Sequence, residues 1–149
     1  MNSKIFGKLK HHRSDDEFRT TMDHRGTEVE ITVRCEEESH IDFLLPFAEK
    51  MWKRRVAIFK TYREHIVTNL LGTLNGMLDC GEPNPAQLTK IQLQKIVSKP
   101  TEMTFFTDDG DTPALEVSGS YHPDLDEHTF WIFFDEHGEI SAGQVVTLY

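Results

Sequence analysis

A chain of 149 residues, 38% hydrophobic and 28% charged, suits one soluble globular domain spanning 1–149 and excludes a disordered or fibrous chain. Two cysteines, Cys35 and Cys80, are too few for a disulfide framework and lack the spacing of a zinc or redox motif, so buried free thiols are expected. The formal charge of -9 is unevenly placed: residues 1–100 hold all 16 Lys and Arg, whereas residues 101–149 hold 11 of the 25 acidic residues and no Lys or Arg. Such a field repels nucleic acid and anionic lipid and attracts basic proteins, although a solvated acidic face kept for solubility would have the same composition. The opening MNSKIFGKLKHHRSDDEF lacks a signal-peptide core, and Phe130 to Phe134 is too short to span a bilayer, so a cytoplasmic location is expected.

In chain order, KIFGKLKHH adds a strand or remains an arm. EFRTTMDHRGT then turns at His24-Arg25-Gly26 into EVEITVRCE, where Val29, Ile31, Val33 and Cys35 alternate with polar residues, so residues 17–36 read as a β-hairpin. From Ser39, a predicted N-cap, apolar residues including Leu44, Ala48, Met51, Trp52, Val56, Phe59, Tyr62, Ile66, Leu70 and Leu74 recur at helical spacing. Pro46 predicts a kink or a late start, and Gly81, Pro83 and Pro85 stop this long helix. QLTKIQLQKIV (Gln87 to Val97) reads as a short second helix ended by Pro100. MTFFT, ALEVSGSY, TFWIFF and EISAGQVVTLY, separated by turn residues, then form a C-terminal antiparallel meander. The class is α+β: an N-terminal hairpin, a long helix and a short helix packed on the meander.

The segments IFGKL, AEKMW, TFFTDDGD, LEVSGSY and FDEHGEISAGQV resemble a family of small acidic bacterial domains of unknown function. The resemblance spans roughly Lys4 to Val146 and carries no catalytic residues. Some related acidic domains resemble immunity proteins encoded beside toxins, which implies a context of protein inhibition.

No motif specifies a chemistry. Counted from Asp108, TDDGD puts Pro113 and Gly119 where a calcium loop needs its Gly and Glu, so a β-turn is expected. His122 and His128 flank PDLDE and, with Asp124 or Asp126, would supply two imidazoles and a carboxylate if the register brought them together. Cys35 lies on an apolar strand face, Ser118 and Ser120 lack a nucleophile elbow, and the glycines form no phosphate loop. No catalytic set and no cofactor are therefore assigned. Lys50, Lys53, Arg54, Arg55, Lys60 and Arg63 read as solvated helix charge, some of it facing the acidic sheet.

The run HTFWIFFDEHGE raises a different question. Phe130, Ile132 and Phe134 form one strand face, which should meet the long helix; Trp131 and Phe133 form the other. Either the hairpin or short helix covers that second face, or it stays partly exposed as an aromatic anchor ringed by Asp108, Asp109, Asp111, Asp135 and Glu136. The sequence supports three readings of function. One is a non-catalytic acidic protein, of the immunity type, covering a basic toxin surface through those seven residues. Another is a metal-assisted enzyme or ligand-binding domain built on His122 and His128. The third is a structural module whose exposed aromatics build a homodimer.

Overall fold

The computed structural model describes residues 1–12, 16–78, 87–97, 99–119 and 128–147. Cys80, Ser120, His122, Asp124, Asp126 and the stop signals Gly81, Pro83 and Pro85 lie outside them. The chain opens with a two-stranded ribbon, β1 (Asn2–Ser3) and β2 (Gly7–Lys8), followed by β3 (Lys10–His12), β4 (Glu17–His24) and β5 (Thr27–Arg34). Arg25 and Gly26 both have positive φ, which gives the tight β4–β5 turn the mirror-image geometry that hairpins favour. The helical run follows as α1 (Ile41–Lys53), α2 (Arg55–His65), a π-helical segment (Ile66–Leu70) and α3 (Leu71–Leu78). After α4 (Lys90–Ile96) come β6 (Pro100–Asp108), β7 (Thr112–Gly119), β8 (His128–Phe134) and β9 (Ile140–Thr147).

Strands β3 to β9 form one seven-stranded sheet in chain order. All neighbours are antiparallel except β5 and β6, whose parallel pairing requires the crossover that the helices supply. The hairpin and the meander thus share one sheet, with Ile31 opposite Met103 and Val33 opposite Phe105.

Strand alternation makes two unlike faces. On the inner face Val29, Ile31, Val33, Met103, Phe105, Leu115, Val117, Ile132 and Phe134 have no solvent exposure. They pack with Leu44, Met51, Ile58, Tyr62, Ile66 and Leu74 of the helical run, and the Phe47 ring meets Phe105 edge-on with centroids 5.9 Å apart. The helical layer reaches both flanks of the sheet: Arg55 Nε donates to His24 Nδ1 of β4 at 2.9 Å, and Arg54 donates to the His137 carbonyl after β8 at 2.9 Å. Gly138 has a φ of +77°, and any Cβ there would also strike the Arg54 guanidinium at 2.7 Å. At Gly143 of β9 a Cβ would fall 2.6 Å from His65 Nε2, so glycine lets α2 approach this strand.

Several local expectations need correction. Ser39 caps nothing: it sits inside a single 3-10 turn, Glu38–His40, and α1 begins at Ile41 without a side-chain cap. Pro46 does not delay α1, which runs through it from Ile41 to Lys53. Its missing N–H removes one helical bond, and the ring lies exposed. The irregularities fall at Arg54 (φ -96°, ψ 9°) and in the π-helical segment. Val56, expected inside, is 53% exposed because it lies off the stripe that Met51, Ile58 and Tyr62 continue. The short helix starts at Lys90, three residues late, because Thr89 and Gln92 form a reciprocal capping box there.

Candidate functional site: the uncovered sheet face

The helices and the N-terminal ribbon pack together on the inner side. Phe6 meets Trp52 edge-on at 6.3 Å, Ser3 donates to Glu49 at 2.9 Å, and Arg63 donates to the Gln94 carbonyl of α4. Among the described residues, no helix lies over the outer face, which divides into two parts.

The first part, on β4 to β7, is charged. Glu17, 6% exposed, accepts from Arg19 Nε at 2.9 Å and from Arg34 Nε at 3.0 Å. Burial pushes its carboxyl up, but the two arginines outweigh that and hold it below the usual carboxylate range. Thr32 and Thr104 lie opposite one another between longer neighbours, and Glu30 lies opposite Glu102. Burial raises Glu102, reinforced by repulsion from Glu30; burial also raises Glu116, reinforced by Glu102.

A folded-state pKa above the unfolded value means that ionising Glu102 and Glu116 opposes folding. Their contribution favours the fold below the ordinary glutamate range and fades as pH rises through the raised values. The double variant Glu102→Gln/Glu116→Gln should therefore be more stable than the parent at neutral pH, with a difference that shrinks towards pH 4. Thermal melts of both proteins from pH 4 to 8 check this; an unchanged or widening difference on acidification would contradict it.

The second part, on β6 to β9, is aromatic. Phe106, Trp131 and Phe133 all point outward and remain partly exposed. The Phe106 and Phe133 rings meet edge-on at 6.3 Å across β7, where Ala114, opposite Phe106, leaves room. Trp131 lies opposite Ser118 and Gln144, neither of which is a large apolar residue. Phe130, Ile132 and Phe134 take the inner side, at most 2% exposed. No family model, curated protein or solved structure matches the chain. The face must therefore be read from its own chemistry.

Register sets the β6–β7 and β8–β9 turns at the same end of the sheet, bordering the aromatic part. Asp108, Asp109, Asp111, Glu136 and Glu139 are all exposed there. Asp109 (φ 45°) and Gly110 (φ 84°) form the expected turn. Two of the predicted rim residues also have local partners. Asp111 comes within 3.3 Å of the buried His40 Nε2. Asp135 Oδ1 accepts from the Glu139 and His137 amides at 3.0 and 2.9 Å, which holds its carboxyl below the usual range and closes the turn. Phe106 was missed in the sequence because MTFFT offers two adjacent aromatics and only the register shows which one faces outward.

Of the histidine constellation, only His128 is among the described residues. His128 faces inward, 7% exposed, with its Nδ1 2.9 Å from Thr147 Oγ1, while His122 lies outside the described residues. Among the described residues, no three His, Cys, Asp or Glu side chains are placed to share a metal ion. Cys35 is buried, and burial pushes its thiol up to about 11, so it is no ready nucleophile. No described helix is long and apolar enough to cross a membrane.

Proposed function

We propose that this protein is a non-catalytic acidic binding protein whose uncovered sheet face docks a basic protein. The observation that carries this reading is Trp131 and Phe133, joined by Phe106, partly exposed on a face that no described helix covers, beside a run of exposed carboxylates. Aromatic anchors supply contact area at low entropic cost, and an acidic border speeds capture of a cationic partner. The specific form proposed is an immunity-type inhibitor whose acidic border meets the basic surface of a toxin. Self-association through the same patch is disfavoured, because a symmetric pair would bring two acidic borders together.

The test is a pull-down from the native host, using the protein as bait at low and then high salt. The expected result is one basic protein, retained at low salt, released at high salt and lost with Asp108→Asn/Asp109→Asn. If no basic protein depends on those two carboxylates, electrostatic capture is refuted. A dimer that dissociates when Trp131 is replaced, seen by sedimentation, would favour the homodimer reading instead.

A further inference from the structure

A second feature lies in the other layer, between α2, the β4–β5 turn and the start of β6. It is a pocket of about 450 Å³, within the size range of small-molecule sites. Arg25 and Lys99 stand on the sheet side of its mouth, and Lys60 and Arg63 on the helix side. All four are exposed, in a protein with a net charge of -9. Two of them have partial partners: Lys60 stands 3.9 Å from Glu64, and Arg63 donates to a backbone carbonyl. Among the described residues, Arg25 and Lys99 make no ion pair or side-chain hydrogen bond.

The pocket's interior is largely apolar and aromatic. Phe59 and Val56 line the α2 wall, so the exposed Val56 adds apolar surface to the pocket. His24 is fixed in the opposite wall, edge-on to Phe59 with centroids 5.1 Å apart, and accepts from Arg55. Burial and then the charges of Arg55, Arg25 and Lys99 lower its basicity, so the imidazole adds no further positive charge at neutral pH. Tyr62 lines the same pocket with its side chain buried, and its hydroxyl has no hydrogen-bond partner among the described residues. A buried, unmatched hydroxyl is costly unless something supplies its partner.

We propose that this pocket binds a nucleotide-sized anion, with phosphate held by Arg25 and Lys99 and a planar body lying against Phe59 towards the Tyr62 hydroxyl. Two unpaired cations at the mouth match a phosphate group, whereas the ring-lined interior matches a base and would gain nothing from inorganic phosphate alone. This site is independent of the sheet face, so either can stand without the other.

Calorimetry on the full chain with AMP, ATP, adenosine and inorganic phosphate tests the proposal. AMP or ATP should bind more tightly than adenosine or phosphate. Arg25→Asn/Lys99→Ala should weaken that binding at least about tenfold, the loss expected from one charge-assisted hydrogen bond. Asn is chosen because it tolerates the positive φ at that turn. Lys8→Ala/Lys10→Ala, exposed and outside the pocket, should bind as the parent does. Tyr62→Phe should weaken binding without lowering the melting temperature, because its hydroxyl bonds to no described residue. Failure of both nucleotides to bind at about 1 mM would overturn the proposal. So would nucleotide affinity unchanged by Arg25→Asn/Lys99→Ala, or phosphate binding as tightly as AMP.

Discussion

Phe105→Ala should destabilise the fold by about 3–5 kcal/mol, the usual cost of emptying a fully buried phenylalanine site. Phe105 has no solvent exposure and lies where the two halves of the sheet join, opposite Val33 on one side and Leu115 on the other. Its ring also takes the edge-on contact from Phe47 of α1. Losing it removes apolar burial, an aromatic pair and the packing that holds the helical layer to the parallel strand junction. Since a domain of this size has a total stability of only about 5–15 kcal/mol, the variant should melt far below the parent or fail to fold. Denaturant unfolding of Phe105→Ala beside Phe105→Leu checks the prediction, with Leu expected to recover most of the loss. A cost below about 1 kcal/mol would mean that the junction is not the core of the domain.

Trp131→Ala/Phe133→Ala should have the opposite signature. Both side chains lie on the uncovered face and are already partly solvated, so the fold should lose much less than it does at Phe105. Affinity for the captured basic partner should fall at least about 30-fold, corresponding to the ~2 kcal/mol that defines an interface hot spot. Asp108→Asn/Asp109→Asn should instead act mainly on the association rate and its salt dependence, since border charges steer encounter more than they hold the complex. Association and dissociation rates at two salt concentrations separate the two effects. Large stability losses with unchanged affinity would make Trp131 and Phe133 packing residues and nothing more.

Much of the fold was legible in the sequence wherever one local rule dominated. Val29, Ile31 and Val33 alternate cleanly because one face of β5 is apolar and the other carries Glu28, Glu30 and Arg34. The Arg25-Gly26 turn and the helical stripe through Met51, Tyr62 and Ile66 were equally plain. What stayed hidden depends on long-range pairing. The parallel joining of β5 to β6 has no local signature, since it depends on the helical run returning the chain alongside β5. Ser39 looked like a cap because composition marks a helix start without fixing which turn is 3-10. Trp131 and Phe133 could be assigned to a shared face by period alone, but whether that face was covered depended on where the hairpin and the short helix packed. The basic pocket was harder still. Arg25, Lys60, Arg63 and Lys99 are scattered through the sequence, and each reads singly as solvated surface charge.

Side-chain oxidation footprinting of the complex shows whether the partner docks on the outer sheet face. In the free protein Trp131 should oxidise readily while Trp52, only 4% exposed, is spared. On adding the captured partner, protection at Trp131, Phe133 and Phe106, with Val56 and Phe59 on the helical layer unchanged, is the result this account predicts. Protection confined to the helical layer, with Trp131 still oxidised at its free rate, would contradict it.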